Sequence, residues 1–162
     1  LMIAMMHMMG EGIFDRYPRL KIAFMEGGAN WLPSWVERFD EHIEKLALQM
    51  PDLKRKPRDI ARSGQLAISC ESEESGLDRV LEFAGPGCVL YASDYCHWDC
   101  HFPYSVKDIV ENRDLTLEQK KRVLGRNAID FFQLKNLPEP RALSIARSHW
   151  EREGSLKEAA GA

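Results

Sequence analysis

Three short apolar runs, each released into an acidic residue or an acid-bearing turn, constrain this fold more than any other feature. They span residues 21–25, 66–70 and 88–92. Glu26 follows the first, Glu71 the second, and Asp94 lies just beyond the third. Between the first two runs, Leu32, Trp35/Val36, Phe39, Ile43, Leu46 and Met50 recur at helical spacing. Glu37, Asp40, Glu41, Glu44 and Lys45 take the opposite face, so residues 31–49 read as an amphipathic helix. Asn30 stands where a cap is needed, and Pro33 is tolerated in the first turn. Between the second and third runs, Leu77, Val80, Leu81 and Ala84 line a helix over 74–84, stopped by Gly85-Pro86-Gly87. Strands alternating with helices predict an α/β fold with parallel strands and right-handed crossovers.

The flanking segments are less regular. Residues 2–15 are apolar nearly all round and read as the end of a buried helix, leading into a loop at Phe14–Pro18. Residues 51–64 are charged, carry Pro51 and Pro57, and read as a loop with at most a short helical turn. Val106, Ile109 and Val110 mark one short helix. Thr116 and Gln119 make a capping box for another, which Gly125 is expected to close. A last short helix follows over 127–132. Residues 1–136 then form the domain, and 137–162 a linker with a peripheral helix over 141–153.

Charge and composition exclude several function classes. A formal net charge of −3 gives no basis for expecting nucleic acid or an anionic membrane as partner. No apolar run approaches the ~20 residues that cross a bilayer. The Met-rich first nine residues lack the basic start and small-residue cleavage site of a signal peptide. Without such a signal, Cys70, Cys88, Cys96 and Cys100 are expected as reduced thiols in the cytoplasm. Cys70 and Cys88 fall inside strand-like runs and read as core. The chain opens on Leu1 rather than methionine, which is compatible with truncation upstream.

The chemistry-bearing residues gather after the third run, in Ser93-Asp94-Tyr95-Cys96-His97-Trp98-Asp99-Cys100-His101. An aspartate leaving a buried strand is either a metal ligand and general base or a local cap; neighbouring imidazoles favour the first, since both suit Zn²⁺ or Mn²⁺. Glu26, before Gly27-Gly28, is either an active-site acid or a carboxylate satisfied by N–H groups of that turn. For Glu71 the structural role is favoured. Cys96, His97, Cys100 and His101 also invite a self-contained zinc module, but the matching second pair is missing. His7, His42, Trp31, Trp35 and Phe39 read as packing or surface residues.

Three ordered motifs carry a resemblance. Residues 12–33 contain Glu26-Gly27-Gly28-Ala29-Asn30-Trp31-Leu32-Pro33; the other two are Leu90-Tyr91-Ala92-Ser93-Asp94-Tyr95-Cys96-His97-Trp98-Asp99 and Leu124-Gly125-Arg126-Asn127-Ala128-Ile129-Asp130-Phe131-Phe132. Together they resemble the amidohydrolase-related family, in the branch of aminocarboxymuconate-semialdehyde decarboxylase-like enzymes. The resemblance implies the last three βα units of a metal-dependent (β/α)₈ barrel. It implies hydrolysis of C–N or C–O bonds, or non-oxidative decarboxylation, of a small carboxylic acid. Asp94 corresponds to the family's last-strand metal ligand, for Zn²⁺ first and Mn²⁺ second. Glu26 stands where many members carry a catalytic histidine, and His97 and Trp98 line the substrate mouth.

The family's His-x-His pair does not occur here, although the chain has five histidines. Three strands are also well short of a barrel of about 250 residues. The expected partners are therefore a small-molecule substrate and either a second copy of the chain or the absent part of the barrel. Two alternatives stand beside this reading: an inactive barrel remnant that self-associates through its sheet edges, and a small Cys/His metal-binding module.

Overall fold

The computed structural model describes residues 1–137. The expected linker beyond Leu137 and the helix over 141–153 lie outside the described residues. The order is α1 (Met2–Gly10), α2 (Ile13–Arg16), β1 (Ile22–Phe24), α3 (Trp31–Leu46), α4 (Pro57–Arg62), β2 (Leu66–Cys70), α5 (Leu77–Ala84), β3 (Val89–Tyr91), α6 (Ser105–Glu111), α7 (Leu117–Lys121) and α8 (Asn127–Phe132).

The three strands form one parallel sheet in the order β1-β2-β3, with Ile22 opposite Leu66 and Ile68 opposite Val89. Side chains alternate across it with period two. Phe24, Leu66, Ile68, Cys70 and Val89 face the helical layer and join Leu32, Val36, Phe39, Leu77 and Val80 in the main core. Burying each such large side chain contributes about 1.5–3 kcal/mol. Ala67 and Leu90 face the other way and meet Phe131, with Ala23 and Ala128 packed alongside, so α8 covers part of the second face.

Several local expectations change. Residues 51–64 contain the helix α4, because Pro57 sits at its first position, where a missing N–H costs nothing. Ile60 and Ala61 bury its inner face. Phe14 belongs to α2 rather than to a loop, and left-handed Gly12 (φ 64°) separates α2 from α1. α1 is amphipathic by position: Met5 and Met9 are buried, whereas Ile3 is exposed. The capping box at Thr116 is present in both directions. Gly125 does not close that helix. The chain continues through a π-helical turn over Arg122–Arg126 into α8 and stops at left-handed Gln133 (φ 53°). Val123, fully buried within that turn, holds the helix together past the glycine.

The end of the sheet where the strands begin is closed by a polar network. Gln65, 7% exposed, donates through Nε2 to the carbonyls of Phe14, Tyr17 and Leu20 at 3.1–3.2 Å. Arg55 reaches Asp15 Oδ1 at 2.5 Å, and its Nη2 donates to Phe14 O and Gln65 Oε1, both at 2.8 Å. Burial pushes the Asp15 carboxyl up. The hydrogen bonds from the Arg55 side chain and from the Lys54 and Arg55 N–H groups outweigh it and hold the group below the usual carboxylate range. Among the described residues, no helix is long and apolar enough to cross a membrane.

Candidate active site

At the other end, where the strands finish, all three strand-end acids converge. Glu26, Glu71 and Asp94 line one cleft of about 370 Å³, together with Glu73, Asp99, His97 and His101. Parallel strands deliver their last residues to the same side, and crossover helices cannot cover that rim.

Two of these acids have unusual backbones. Glu26 has φ 65° and Asp94 φ 50°, in the left-handed region that side chains other than Gly, Asn and Asp avoid. Holding Glu26 there costs about 1 kcal/mol or more, whereas Asp94 is of a type that tolerates this conformation; such strain concentrates at functional sites. For Glu26 the surroundings that impose it are visible. Its N–H donates to Ser69 Oγ at 2.8 Å. The N–H groups of Gly27 and Gly28 face the Glu71 carboxylate and favour its charged form. Ala29 and Asn30 donate to Glu74 Oε1 at 2.8 and 2.7 Å, and Glu71 N–H donates to Glu74 Oε2 at 3.2 Å. Glu74 therefore does the capping of α3 expected from Asn30, whose own amide donates to Ser75 O.

The Glu26 N–H is taken by Ser69 and those of Gly27 and Gly28 face Glu71, while the Glu26 carboxylate itself has no hydrogen bond among the described residues. Gly28 cannot be replaced without strain: it has φ +70°, and an added Cβ would sit 2.9 Å from Glu74 Oε1. Glu71 is at once a support for that turn and part of the cleft wall. Burial, then the nearby Asp94 charge, raises its pKa, against the lowering effect of the two glycine N–H groups.

The expected mouth residues separate. His97 lines the cleft, whereas the Trp98 side chain is 96% exposed and lies outside its lining. His101 lines the cleft as well. Its Nδ1 meets Asp108 Oδ2 at 2.5 Å and lies 3.6 Å from Glu73 Oε1, while Ser72 Oγ donates to Asp108 at 3.3 Å. The hydrogen bond to Asp108 raises the His101 pKa, helped by the charges of Asp108 and Glu73. Asp108, seven residues further on in α6, and Glu74 carry no sequence signal that sets them apart. Glu71 had one, the same strand-end position as Glu26.

A catalytic divalent metal usually takes three protein ligands. Among the described residues, three candidate donors come within 4.8 Å of one another at Glu73, His101 and Asp108, and Asp94 is not among them. Those three form an ion-paired cluster at the rim, with the imidazole Nδ1 already engaged by Asp108. The described residues therefore do not by themselves fit a complete metal centre around Asp94. Cys96 and Cys100 join no such group, Cys70 and Cys88 are buried, and all four thiols are free.

The sequence profile of the amidohydrolase family matches residues 1–134. This chain belongs to that family. No curated protein matches it. Among solved structures it is similar to 5-carboxyvanillate decarboxylase from Sphingomonas paucimobilis, with 28% identity and a TM-score of 0.69, covering 80% of this chain and 38% of that one. It shares its fold with dihydroxybenzoic acid decarboxylase from Polaromonas sp. JS666, solved with manganese and 2-nitroresorcinol (20% identity, TM-score 0.68, 84% of this chain and 40% of that one). It also shares it with an amidohydrolase from Mycobacterium avium subsp. paratuberculosis K-10 (23% identity, TM-score 0.63, 78% and 32%). The amidohydrolase chain described here thus spans under half the length of these proteins.

Proposed function

We propose that this chain forms the last three βα units of a (β/α)₈ barrel and supplies one wall of a metal-dependent decarboxylase or hydrolase site for a small carboxylic acid. The observation that carries the reading is the convergence of Glu26, Glu71 and Asp94 in one cleft at the strand ends, in a chain similar to a carboxylate-removing enzyme. Asp94 is the residue through which this chain holds the divalent ion, Zn²⁺ or Mn²⁺, and it handles a proton. Glu26, its carboxylate unclaimed by the turn, positions substrate or acts as a second base. His97 and the exposed Trp98 contact substrate as it enters. Residues 1–136 act as the domain and 137–162 as its appendage.

Because Asp94 lacks two companions here, the reading assigns the remaining ligands to further polypeptide, either a second copy of the chain or more of the barrel. It also assigns the chain to the cytoplasm, where its four free thiols stay reduced. The same missing ligands favour a second reading, an inactive remnant that self-associates through the open edges of β1 and β3. Elemental analysis of the purified chain beside Asp94→Asn, with CO₂ release from 5-carboxyvanillate, separates the two. Stoichiometric metal and turnover, both lost in the variant, support the enzyme; metal-free, inactive protein in both supports the remnant.

A further inference from the structure

On the outer helical layer, away from the acidic cleft, three arginines converge on one groove. Arg58 and Arg62 lie four residues apart on α4, and Arg79 comes from α5; with Pro33, Glu82 and Phe83 they line a groove of about 380 Å³. All three arginines are exposed. Like charges four apart on a helix repel, so local stability does not explain the arrangement.

Elsewhere, Arg16, Arg38, Arg55 and Arg126 each pair with a carboxylate. Among the described residues Arg58, Arg62 and Arg79 make no ion pair, although Glu82 shares their groove. Two of them are held by uncharged contacts instead. The Arg58 guanidinium stacks 4.7 Å from the Phe83 ring centroid, and Arg62 Nη2 donates to the Glu82 carbonyl at 3.0 Å. Such contacts orient a guanidinium while leaving its charge and other N–H donors free.

We propose that this groove between α4 and α5 is a binding site for a phosphate monoester, separate from the strand-end cleft. Three guanidiniums line the groove with one carboxylate, Glu82, and Asp40 beside it takes the Arg58 N–H and offsets part of that residue's charge; the net positive charge that remains is one a phosphate group of about −1.5 to −2 matches. Its oxygens suit the bidentate guanidinium fork. Pro33 supplies an apolar margin for the organic part of the ester.

The test titrates the intact chain with inorganic phosphate and with phenyl phosphate, following backbone and arginine Nε–H resonances by NMR. Saturable shifts confined to α4 and α5 are expected. Arg79→Gln should weaken binding by about tenfold, the usual effect of losing a charge-assisted hydrogen bond. Glu82→Gln should tighten it, and Arg113→Gln, equal in charge but outside the groove, should leave it unchanged. Equal affinity for the two anions assigns the site to the phosphate alone, and tighter binding of phenyl phosphate adds the organic portion; either supports the site. Absence of saturable shifts with both anions overturns the proposal. So does binding that Arg79→Gln and Arg113→Gln weaken equally, which would mark net charge rather than a site.

Discussion

The two ends of the sheet are built on opposite principles. Where the strands begin, Gln65, Arg55 and Asp15 bond one another and the surrounding carbonyls, and the charges lie paired within hydrogen-bonding distance. Where the strands finish, five carboxylates and two imidazoles share a cleft, and Glu26 and Asp94 hold left-handed backbones. The first end spends its polar groups on stability. The second leaves the Glu26 carboxylate without a hydrogen bond among the described residues and sets Glu71 beside the Asp94 charge, and perturbed groups of this kind cluster at functional sites. The position of an acid, rather than acid content, separates support from site: Asp15 and Glu26 are both carboxylates, and among the described residues only Asp15 has hydrogen-bonding partners.

The largest expected effect lies at the supporting end. Asp15→Ala should destabilise the fold by about 2–3 kcal/mol at neutral pH, because it strips Arg55 and two backbone N–H groups of their acceptor. The folded carboxyl titrates below its unfolded value, so this stability is present above the unfolded pKa and disappears as pH falls through the folded one. Urea melts of both proteins should therefore converge in acid; a constant gap would break the comparison.

A smaller effect belongs to the hinge between support and site. Glu74→Ala leaves the N–H groups of Ala29, Asn30 and Glu71 without their acceptor, at a cost of about 1–2 kcal/mol. Hydrogen exchange should quicken at Ala29 and Asn30 while Gln65 keeps its protection. Uniform quickening would mean that the two ends are not separable.

The smallest effect is expected at the cleft itself. Asp94→Asn should change stability by less than about 0.5 kcal/mol, since asparagine tolerates the left-handed backbone. The Glu71 carboxyl should then titrate closer to its ordinary value, because one of the two leading causes of its rise is gone. Carboxyl-carbon NMR reads this directly. A large loss of stability would show Asp94 to be a structural cap.

The supporting framework was largely legible in the sequence. Strand β2 has its predicted bounds, and the helix over 31–49 appears as α3 with one 3₁₀ turn after it. Both follow from periodicity, a local signal. Gly125 misled because a glycine marks a helix end only when its backbone turns left-handed, and here tertiary packing of Val123 keeps the turn helical. The shared rim of Glu26 and Asp94 was legible because parallel strands deliver their ends to one side. The partnerships could not: Glu74 capping α3 from 45 residues away and Asp108 holding His101 depend on loop paths that no spacing encodes. The exposure of Trp98 outside the cleft is of the same kind.

We propose that the strand-end cleft gathers a divalent cation through Asp94. Paramagnetic broadening of amide resonances by Mn²⁺ tests it most directly, because it detects even weak, incomplete coordination. Broadening is expected to be confined to Glu26–Gly28, Glu71–Glu74 and Ala92–His101, sparing Arg55 and Gln65, and to be strongly reduced in Asp94→Asn. Broadening that persists unchanged in that variant, or that centres on Asp15 and Asp52 instead, would contradict it.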